Sequence, residues 1–156
     1  MSDKIVVDTC VFIEGIFGED NNPSSILLSM LDTLDIRLIF SQESIGELLY
    51  ILKKRCNELQ MDSDDTNDIL KDMTILFQKG KSVNIRHYKS MPQKLTIKDP
   101  DDQMFVDAAF AGKATYLITL DKKSGILGLK KRVPFNCCTP QEFLGLINKE
   151  NIAETG

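Results

Sequence analysis

The sequence lacks the residues on which several common kinds of functional site depend. It has no tryptophan, and aromatic residues make up only 7% of the chain, so base stacking on aromatic side chains is not indicated. It has one histidine, His87, and nothing around it indicates a nucleophile partner. A Ser/His/Asp or Cys/His hydrolase needs such a histidine, so that class of enzyme is not supported. We expect His87 to be a loop residue.

The few cysteines do not form a zinc-binding pattern. Their spacings match no C-x-x-C or Cys/His arrangement, and two of them are neighbours in an apolar, strand-like stretch. We therefore expect four reduced thiols in or near the core: Cys10, Cys56, Cys137 and Cys138.

Long hydrophobic runs are missing too. No apolar run approaches the roughly 20 residues that a membrane span needs. The first residues, MSDKIVVDTC, do not have the layout of a signal peptide, so we expect a cytoplasmic protein without membrane contact. The net charge of −4 and the pI near 5.0 argue against a non-specific nucleic-acid coat, but they do not exclude a local basic patch beside an acidic site.

The residues that are present suit one folded domain. The chain has 156 residues, of which 42% are hydrophobic and 27% charged, as is usual for a single globular unit with a real core. We expect the domain to span residues 1–149 and a frayed C-terminal tail to span residues 150–156.

Strand-like and helix-like segments alternate along the chain. Helical spacing of apolar residues predicts helices over 23–34, 44–59 and 64–78. A fourth helix would start at the cap Asp99 and end near Gly112, and a closing helix would follow the cap Thr139. Short β-branched or apolar runs predict strands over 4–7, 36–40, 82–85, 116–119 and 134–138, with a loop over 87–97. This alternation predicts a three-layer α/β/α sandwich around a parallel sheet of four or five strands.

Acidic residues follow three of the predicted strands. Asp8 and Asp121 come directly after strands, and Glu47 lies near the start of the helix that follows another strand. The carboxyl ends of parallel strands share one edge of the sheet, where open α/β sheets place their sites. The helix that begins at Asp99, Asp101 and Asp102 should start near that same edge.

Converging carboxylates have to change their pKa values, take up protons or hold a cation. Carboxylate oxygens without His or Cys suit Mg²⁺ or Mn²⁺. Such a cation lowers the pKa of a bound water and can clamp a phosphate for displacement. The pattern therefore favours hydrolysis of a phosphodiester with water as the nucleophile.

Four stretches, taken in order and spacing, resemble a known family. They are VVDTCVFIEGIF, SQESIGELLYIL, DPDDQMFVDAAFAGKATYLITLDK and CCTPQEFL. Together they resemble the PIN domain, and more closely its branch of toxins from toxin–antitoxin pairs, the VapC-like ribonucleases. The resemblance extends from residue 4 to about residue 147. It implies a metal-dependent ribonuclease that leaves 5′-phosphate and 3′-hydroxyl ends.

The resemblance also implies roles for individual residues. It assigns metal binding and catalysis to Asp8, Glu47, Asp102 and Asp121. The branch often has a glycine where this chain has Leu120, and a glutamate where it has Asp107, whose shorter side chain makes a metal role less direct. Candidate substrate-binding residues are hydroxyl and lysine side chains near these acids: Thr9, Ser41, Thr119, Lys122 and Lys123. Two basic runs, at 53–55 and 130–132, could also hold RNA phosphates.

Each acid also has a plain structural interpretation. Asp8 and Asp121 could cap turns, and Glu47 could close a capping box with Ser44. The acids at 99–102 could favour a helix dipole, with Asp99 as the cap and Asp102 as the ligand. Asp107 could be an exposed acid.

The expected protein is a cytoplasmic endoribonuclease with RNA as substrate. The family pattern implies a homodimer and a cognate antitoxin. Three alternatives remain at this point. They are a response-regulator receiver, a non-catalytic PIN-fold binding module, and an RNA-processing nuclease outside any toxin–antitoxin system.

Overall fold

A five-stranded parallel sheet forms the centre of the molecule. The structure, a computed structural model, describes residues 3–86, 96–129 and 132–155, with side chains through residue 149. The strands are β1 (Asp3–Val7), β2 (Ile36–Ser41), β3 (Lys81–Val83), β4 (Tyr116–Ile118) and β5 (Asn136–Cys138). Every neighbouring pair is parallel, and the spatial order is β3-β2-β1-β4-β5. The predicted sheet of four or five strands is thus confirmed.

The strand order also identifies where a site is expected. Strand order reverses between β1, the central strand, and its neighbour β4, and open α/β sheets bind ligands in the crevice outside such a switch point. The order differs from the 2-1-3-4-5 order of receiver proteins, which argues against the receiver alternative.

Helices cover both faces of the sheet. They are α1 (Thr9–Phe17), α2 (Pro23–Met30), α3 (Gln42–Glu58), α4 (Ser63–Lys79), α5 (Gln103–Ala111) and α6 (Pro140–Thr155). A short 3₁₀ turn, Pro100–Asp102, leads into α5. None of the described helices combines the length and the apolar character that a bilayer crossing requires.

Alternating side chains of the strands build two separate cores. Ile5 and Val7 of β1 face one core, which also contains side chains from α1, α2, α3, α4 and α6. Val6 between them faces the other core, where α5 supplies Phe105 and Val106. This period of two places helices on both sides of the sheet and confirms the three-layer architecture.

The structure adds one helix and lengthens another. Helix α1 was not predicted, because its first residue follows Asp8 without any intervening loop. Helix α6 continues through Thr155, while the fraying of the tail stays a prediction. The boundary between a domain at 1–149 and a tail at 150–156 stays a prediction.

Several further expectations agree with the structure where it describes the chain. Thr139 caps α6, since its hydroxyl accepts a hydrogen bond from the Glu142 N–H at 3.2 Å. The four cysteines are free thiols; three are buried, and Cys10 is half-buried. His87, Lys130 and Lys131 lie outside the described residues, as does most of the predicted loop at 87–97.

Candidate active site

Two central strands deliver the first pair of acids to the same point. Val7 of β1 is in register with Ile118 of β4, and the pairing continues as the Asp8 N–H donates to the Ile118 carbonyl at 2.9 Å. Asp8 therefore lies level with Thr119, and Asp121 follows two residues later. The prediction that strand-end acids meet at the carboxyl edge is supported by this register.

Thr119 connects the two aspartates. Its hydroxyl donates to Asp8 Oδ2 at 2.7 Å and accepts a hydrogen bond from the Asp121 N–H at 3.0 Å. Thr119 is fully buried and Asp8 is only 4% exposed, so water does not compete for these bonds. Asp8 is the N-cap residue of α1; its side chain makes no capping hydrogen bond there, but the nearby backbone N–H of Cys10 opposes the rise that burial causes in the pKa of its carboxylate.

A second threonine holds the glutamate. Thr9 Oγ1 donates to Glu47 Oε2 at 2.6 Å, across the contact between α1 and α3. The predicted capping box between Ser44 and Glu47 is wrong. Helix α3 begins two residues earlier, and its box joins Ser41 and Ser44, each of which bonds the backbone N–H of the other. The Glu47 carboxylate is thereby available to the pocket.

The acids before α5 have separate positions. Asp99 caps the 3₁₀ turn by accepting from the Asp101 N–H at 3.0 Å, as predicted. Asp101 is exposed, whereas Asp102 is half-buried and faces the same pocket as Asp8. The Asp99 N–H donates to the Ser124 carbonyl at 3.1 Å, which joins this turn to the turn that follows Asp121.

Asp121 has both of the roles considered for it. Its Oδ1 accepts from the N–H groups of Lys123 and Ser124 at 2.8 and 3.1 Å, so it does start a turn. It also lines the pocket that Asp8 lines. The turn fixes the carboxylate at the strand end, and the remaining lone pairs can accept a further ligand.

All four predicted ligands line one cavity of about 460 Å³. These acids are Asp8, Glu47, Asp102 and Asp121. Glu14 adds a fifth carboxylate to the lining, and Ile13, Ile51 and Leu120 add apolar side chains, together called the apolar wall below. The cavity therefore combines a concentration of negative charge with a partly apolar side.

The donor set of this cavity fits a hard divalent cation. One carboxylate oxygen from each of Asp99, Asp102 and Asp121 lies within 4.8 Å of the other two. The described residues offer only oxygen at this cluster, which suits Mg²⁺ or Mn²⁺ better than softer metals. Asp99 is an addition to the predicted set, whereas Asp8 and Glu47 lie in the same cavity but outside this closest group.

Burial, and after it mutual repulsion, raises the pKa values of three of these acids. Burial raises the pKa of Asp102 to about 7, and the neighbouring carboxylates, with Asp8 first among them, add to that increase. Burial likewise raises the pKa of Asp8, although the hydrogen bond from Thr119 opposes the change. The pKa of Glu47 is raised mainly by burial, against the hydrogen bond from Thr9. A bound cation would remove this cost of ionisation.

Other predicted site residues lie away from the cavity. Asp107 is 3% exposed, so the interpretation of it as an exposed acid is wrong; α5 is buried on nearly every side at this level. Asp107 accepts a hydrogen bond from Gln103 Nε2 at 3.3 Å. Ser41 is fully buried and caps α3. Lys122 and Lys123 are exposed and do not line the cavity.

Sequence reasoning missed Asp99 as a member of the acid cluster and Arg55 as a residue that lines the cavity. It assigned Asp99 to capping alone and did not foresee that the turn at 99–102 packs against the turn at 121–124. It considered Arg55 only within a basic run. Yet Glu47, Ile51 and Arg55 follow one another at intervals of four on α3, and this spacing was the available signal for a shared face.

Two solved structures share the fold. A chain of VapBC2 from Rickettsia felis, in a complex bound to a DNA fragment from its promoter, is 16% identical over 87% of this chain and 98% of that one, with a TM-score of 0.52. A chain of FitAcB from Neisseria gonorrhoeae is 15% identical over 88% of this chain and 98% of that one, with a TM-score of 0.56.

Comparison with protein families gives a match that covers far more of the chain than any single motif does. No curated protein matches the sequence significantly. The family model of the PIN domain matches residues 4–123, which include β1, β4 and all the acids of the cavity. The chain belongs to the PIN domain family.

Proposed function

We propose that this protein is a metal-dependent endoribonuclease that hydrolyses RNA phosphodiester bonds. The observation that carries the proposal is the convergence of Asp8, Glu47, Asp102 and Asp121 in one cavity at the switch point of the sheet. PIN domains are generally nucleases, and the family match covers every one of these acids. The specificity for RNA and the dependence on Mg²⁺ or Mn²⁺ rest on the family resemblance and on the oxygen-only donor set.

The cation would be held by the four acids, with Asp99 as a further ligand from the same cluster. When bound, such a cation would lower the pKa of a water molecule and offset negative charge on a phosphate. Asp107 does not reach this cluster directly. We assign it a supporting role, since it holds Gln103, whose Oε1 accepts from the Ile97 N–H at 2.9 Å and so steadies the segment before Asp102.

The protein's own side chains prepare the site. Thr119 and Thr9 each donate a hydrogen bond to a carboxylate, which fixes the direction in which Asp8 and Glu47 present their other oxygens. Ser41 contributes by fixing the start of α3, and thereby the position of Glu47. Lys122 and Lys123, exposed beside Asp121, would contact RNA phosphates away from the scissile bond.

We further propose a biological setting as the toxin of a toxin–antitoxin pair in the cytoplasm. The resemblance of the motif order to that branch supports this role. The DNA fragment in the VapBC2 structure supports a partner that binds DNA, which would be the antitoxin. A homodimer is expected from the same family pattern, and light scattering with size-exclusion chromatography would measure its mass.

Cleavage of a 5′-labelled RNA of mixed sequence tests the nuclease activity. Wild type would be assayed with Mn²⁺, with Mg²⁺ and with EDTA, next to Asp8→Asn and Asp121→Asn. Asp72→Asn is the matched control, since Asp72 is exposed on α4 and does not line the cavity. We expect metal-dependent cleavage by wild type and by the control, loss of cleavage in both cavity variants, and labelled products with 3′-hydroxyl ends.

Each of the other possible results would contradict a different part of the proposal. Cleavage that persists in both cavity variants would indicate a contaminant and would contradict the carboxylate mechanism. No cleavage, together with no Mn²⁺ binding at millimolar concentration by calorimetry, would favour a PIN-fold binding module. Cleavage without any growth effect on expression in a host cell would favour an RNA-processing nuclease outside a toxin–antitoxin system.

A further inference from the structure

The acid cavity has to accept a substrate of the same charge sign as its own walls. Five carboxylate side chains line it, and an RNA strand carries a negative charge at every phosphate. A divalent cation offsets only part of this charge. The phosphate next to the scissile one therefore needs a positive partner near the cavity rim.

Arg55 is the single cationic side chain among the described residues that line the cavity. It follows Glu47 by eight residues on α3, which places it about 12 Å further along the helix axis on the same face. Ile51 lies between them and contributes to the apolar wall. Helix α3 thus presents an acid, an apolar surface and a cation in sequence along one edge of the cavity.

The guanidinium of Arg55 is available to a ligand. Its ion pair with Glu58 is 3.5 Å long, and the two side chains are 46% and 50% exposed. An ion pair of this length between exposed partners on one helix contributes little to stability. The two non-bridging oxygens of an RNA phosphodiester share one negative charge and can accept two parallel hydrogen bonds from the guanidinium, so a phosphate can replace the exposed Glu58 carboxylate as its partner.

We propose that Arg55 binds an RNA backbone phosphate next to the scissile one and so positions the strand across the carboxylates. The proposal rests on the proposed ribonuclease function and adds a substrate-binding residue to it. The sugar of the intervening nucleotide would pack on the apolar wall that Ile13, Ile51 and Leu120 form. Arg55 takes no part in proton transfer.

The test compares Arg55→Ala and Arg55→Lys with wild type and with Lys54→Ala. Lys54 is an exposed cation on the same helix that does not line the cavity, so its removal changes the net charge equally. Two quantities would be measured over a range of NaCl concentrations. The first is the KM and kcat of cleavage of a labelled single-stranded RNA with Mn²⁺. The second is the affinity for the same RNA in EDTA, by fluorescence anisotropy.

Loss of a charged contact to phosphate predicts a specific pattern. Arg55→Ala should raise KM about tenfold while kcat changes little, because the contact binds the ground state and the transition state alike. The slope of log affinity against log salt should become shallower by about 0.7, the value for one phosphate of a single strand. Arg55→Lys should recover part of the KM, and Lys54→Ala should change it less than twofold.

The outcomes separate this proposal from the nuclease function. Cleavage by wild type with an unchanged KM and salt slope in Arg55→Ala would overturn the role of Arg55 and leave the nuclease intact. Equal changes in KM for Lys54→Ala and Arg55→Ala would also overturn the role of Arg55, because they would reflect the net charge of the protein and not a specific contact. RNA binding without cleavage, with the slope reduced in Arg55→Ala, would support the phosphate site and contradict the nuclease. No binding and no cleavage would overturn both.

Discussion

At the scale of single residues, Thr119 determines how the two strand-end aspartates are held. Replacement by valine keeps the shape but removes the hydrogen bond to Asp8 and the acceptor for the Asp121 N–H. Supporting residues of this kind typically change metal affinity or activity by about 10- to 100-fold. We expect Thr119→Val to lower the cleavage rate by that factor, and calorimetry to show weaker Mn²⁺ binding.

The same change has a pH signature. The hydrogen bond from Thr119 lowers the pKa of Asp8, so its loss should raise that pKa further. The acidic limb of the rate against pH should therefore move to higher pH. Thr119→Ser keeps the hydroxyl and should keep the profile. A valine variant with the rate and profile of wild type would contradict a role for Thr119 in holding Asp8.

Ionisation of Asp102 should lower the free energy of unfolding of the metal-free protein at neutral pH. Its pKa is about 7 in the folded state and about 3.9 in an unfolded chain. Between these values the folded state binds more protons than the unfolded state, so the free energy of unfolding falls as pH rises. Asp102→Asn removes this loss, and we expect it to raise Tm in EDTA at pH 8 by about 3 °C, allowing for solvent screening.

The comparison across pH separates this effect from better packing. The gain in Tm should shrink toward pH 4, where Asp102 is protonated in the folded state and about half protonated in the unfolded state. A gain of equal size at pH 4 and pH 8 would exclude ionisation of Asp102 as its cause. Differential scanning calorimetry in EDTA at the two pH values measures the difference directly.

At the scale of elements, the cap of α3 positions Glu47. Ser41 and Ser44 form the reciprocal box, so Ser41→Ala should lower the free energy of unfolding by about 1 kcal/mol. Glu47→Gln should not lower it, because Glu47 has no part in the cap and its ionised form is disfavoured by burial. Urea unfolding of both variants distinguishes this arrangement from the box predicted at Ser44 and Glu47, for which the order of the effects would reverse.

The strands and most of the helices could be predicted because their patterns are local. Strands of alternating or continuous apolar residues identified the sheet, and the acids after two of them identified the site. Helix α1 could not be predicted in this way. Of its nine residues, TCVFIEGIF, only the glutamate is a strong helix former. Its helical state comes from packing, since Val11 and Phe12 are buried and Gly15 lies against Leu28 of α2.

The less predictable part of the site also depends on contacts between distant segments. Asp99 joins the cluster because its backbone bonds the carbonyl of Ser124, a contact that no local pattern encodes. Arg55 joins the cavity because α3 lies along its edge. Strand-end acids follow from topology alone, whereas ligands from loops and helix faces require the packed tertiary structure.

At the scale of the whole molecule, the carboxylate cavity makes stability depend on a bound cation. The raised pKa values of Asp8, Glu47 and Asp102 express mainly the cost of ionising buried acids, to which their mutual repulsion adds. A ligand that binds only the folded state adds RT ln(1 + [L]/Kd) to the free energy of unfolding. Mn²⁺ at ten times its Kd should therefore add about 1.4 kcal/mol, or a rise in Tm of about 3–5 °C for a chain of this length.

The increase should depend on the cavity and not on ionic strength. Asp8→Asn combined with Asp121→Asn should abolish it, Asp72→Asn should retain it, and NaCl of matched ionic strength should not reproduce it. Equal rises in Tm for wild type and the double variant would mean that Mn²⁺ binds elsewhere. In that case the acids would be neighbours that share no ligand. Their mutual repulsion would then destabilise the folded protein without serving metal binding.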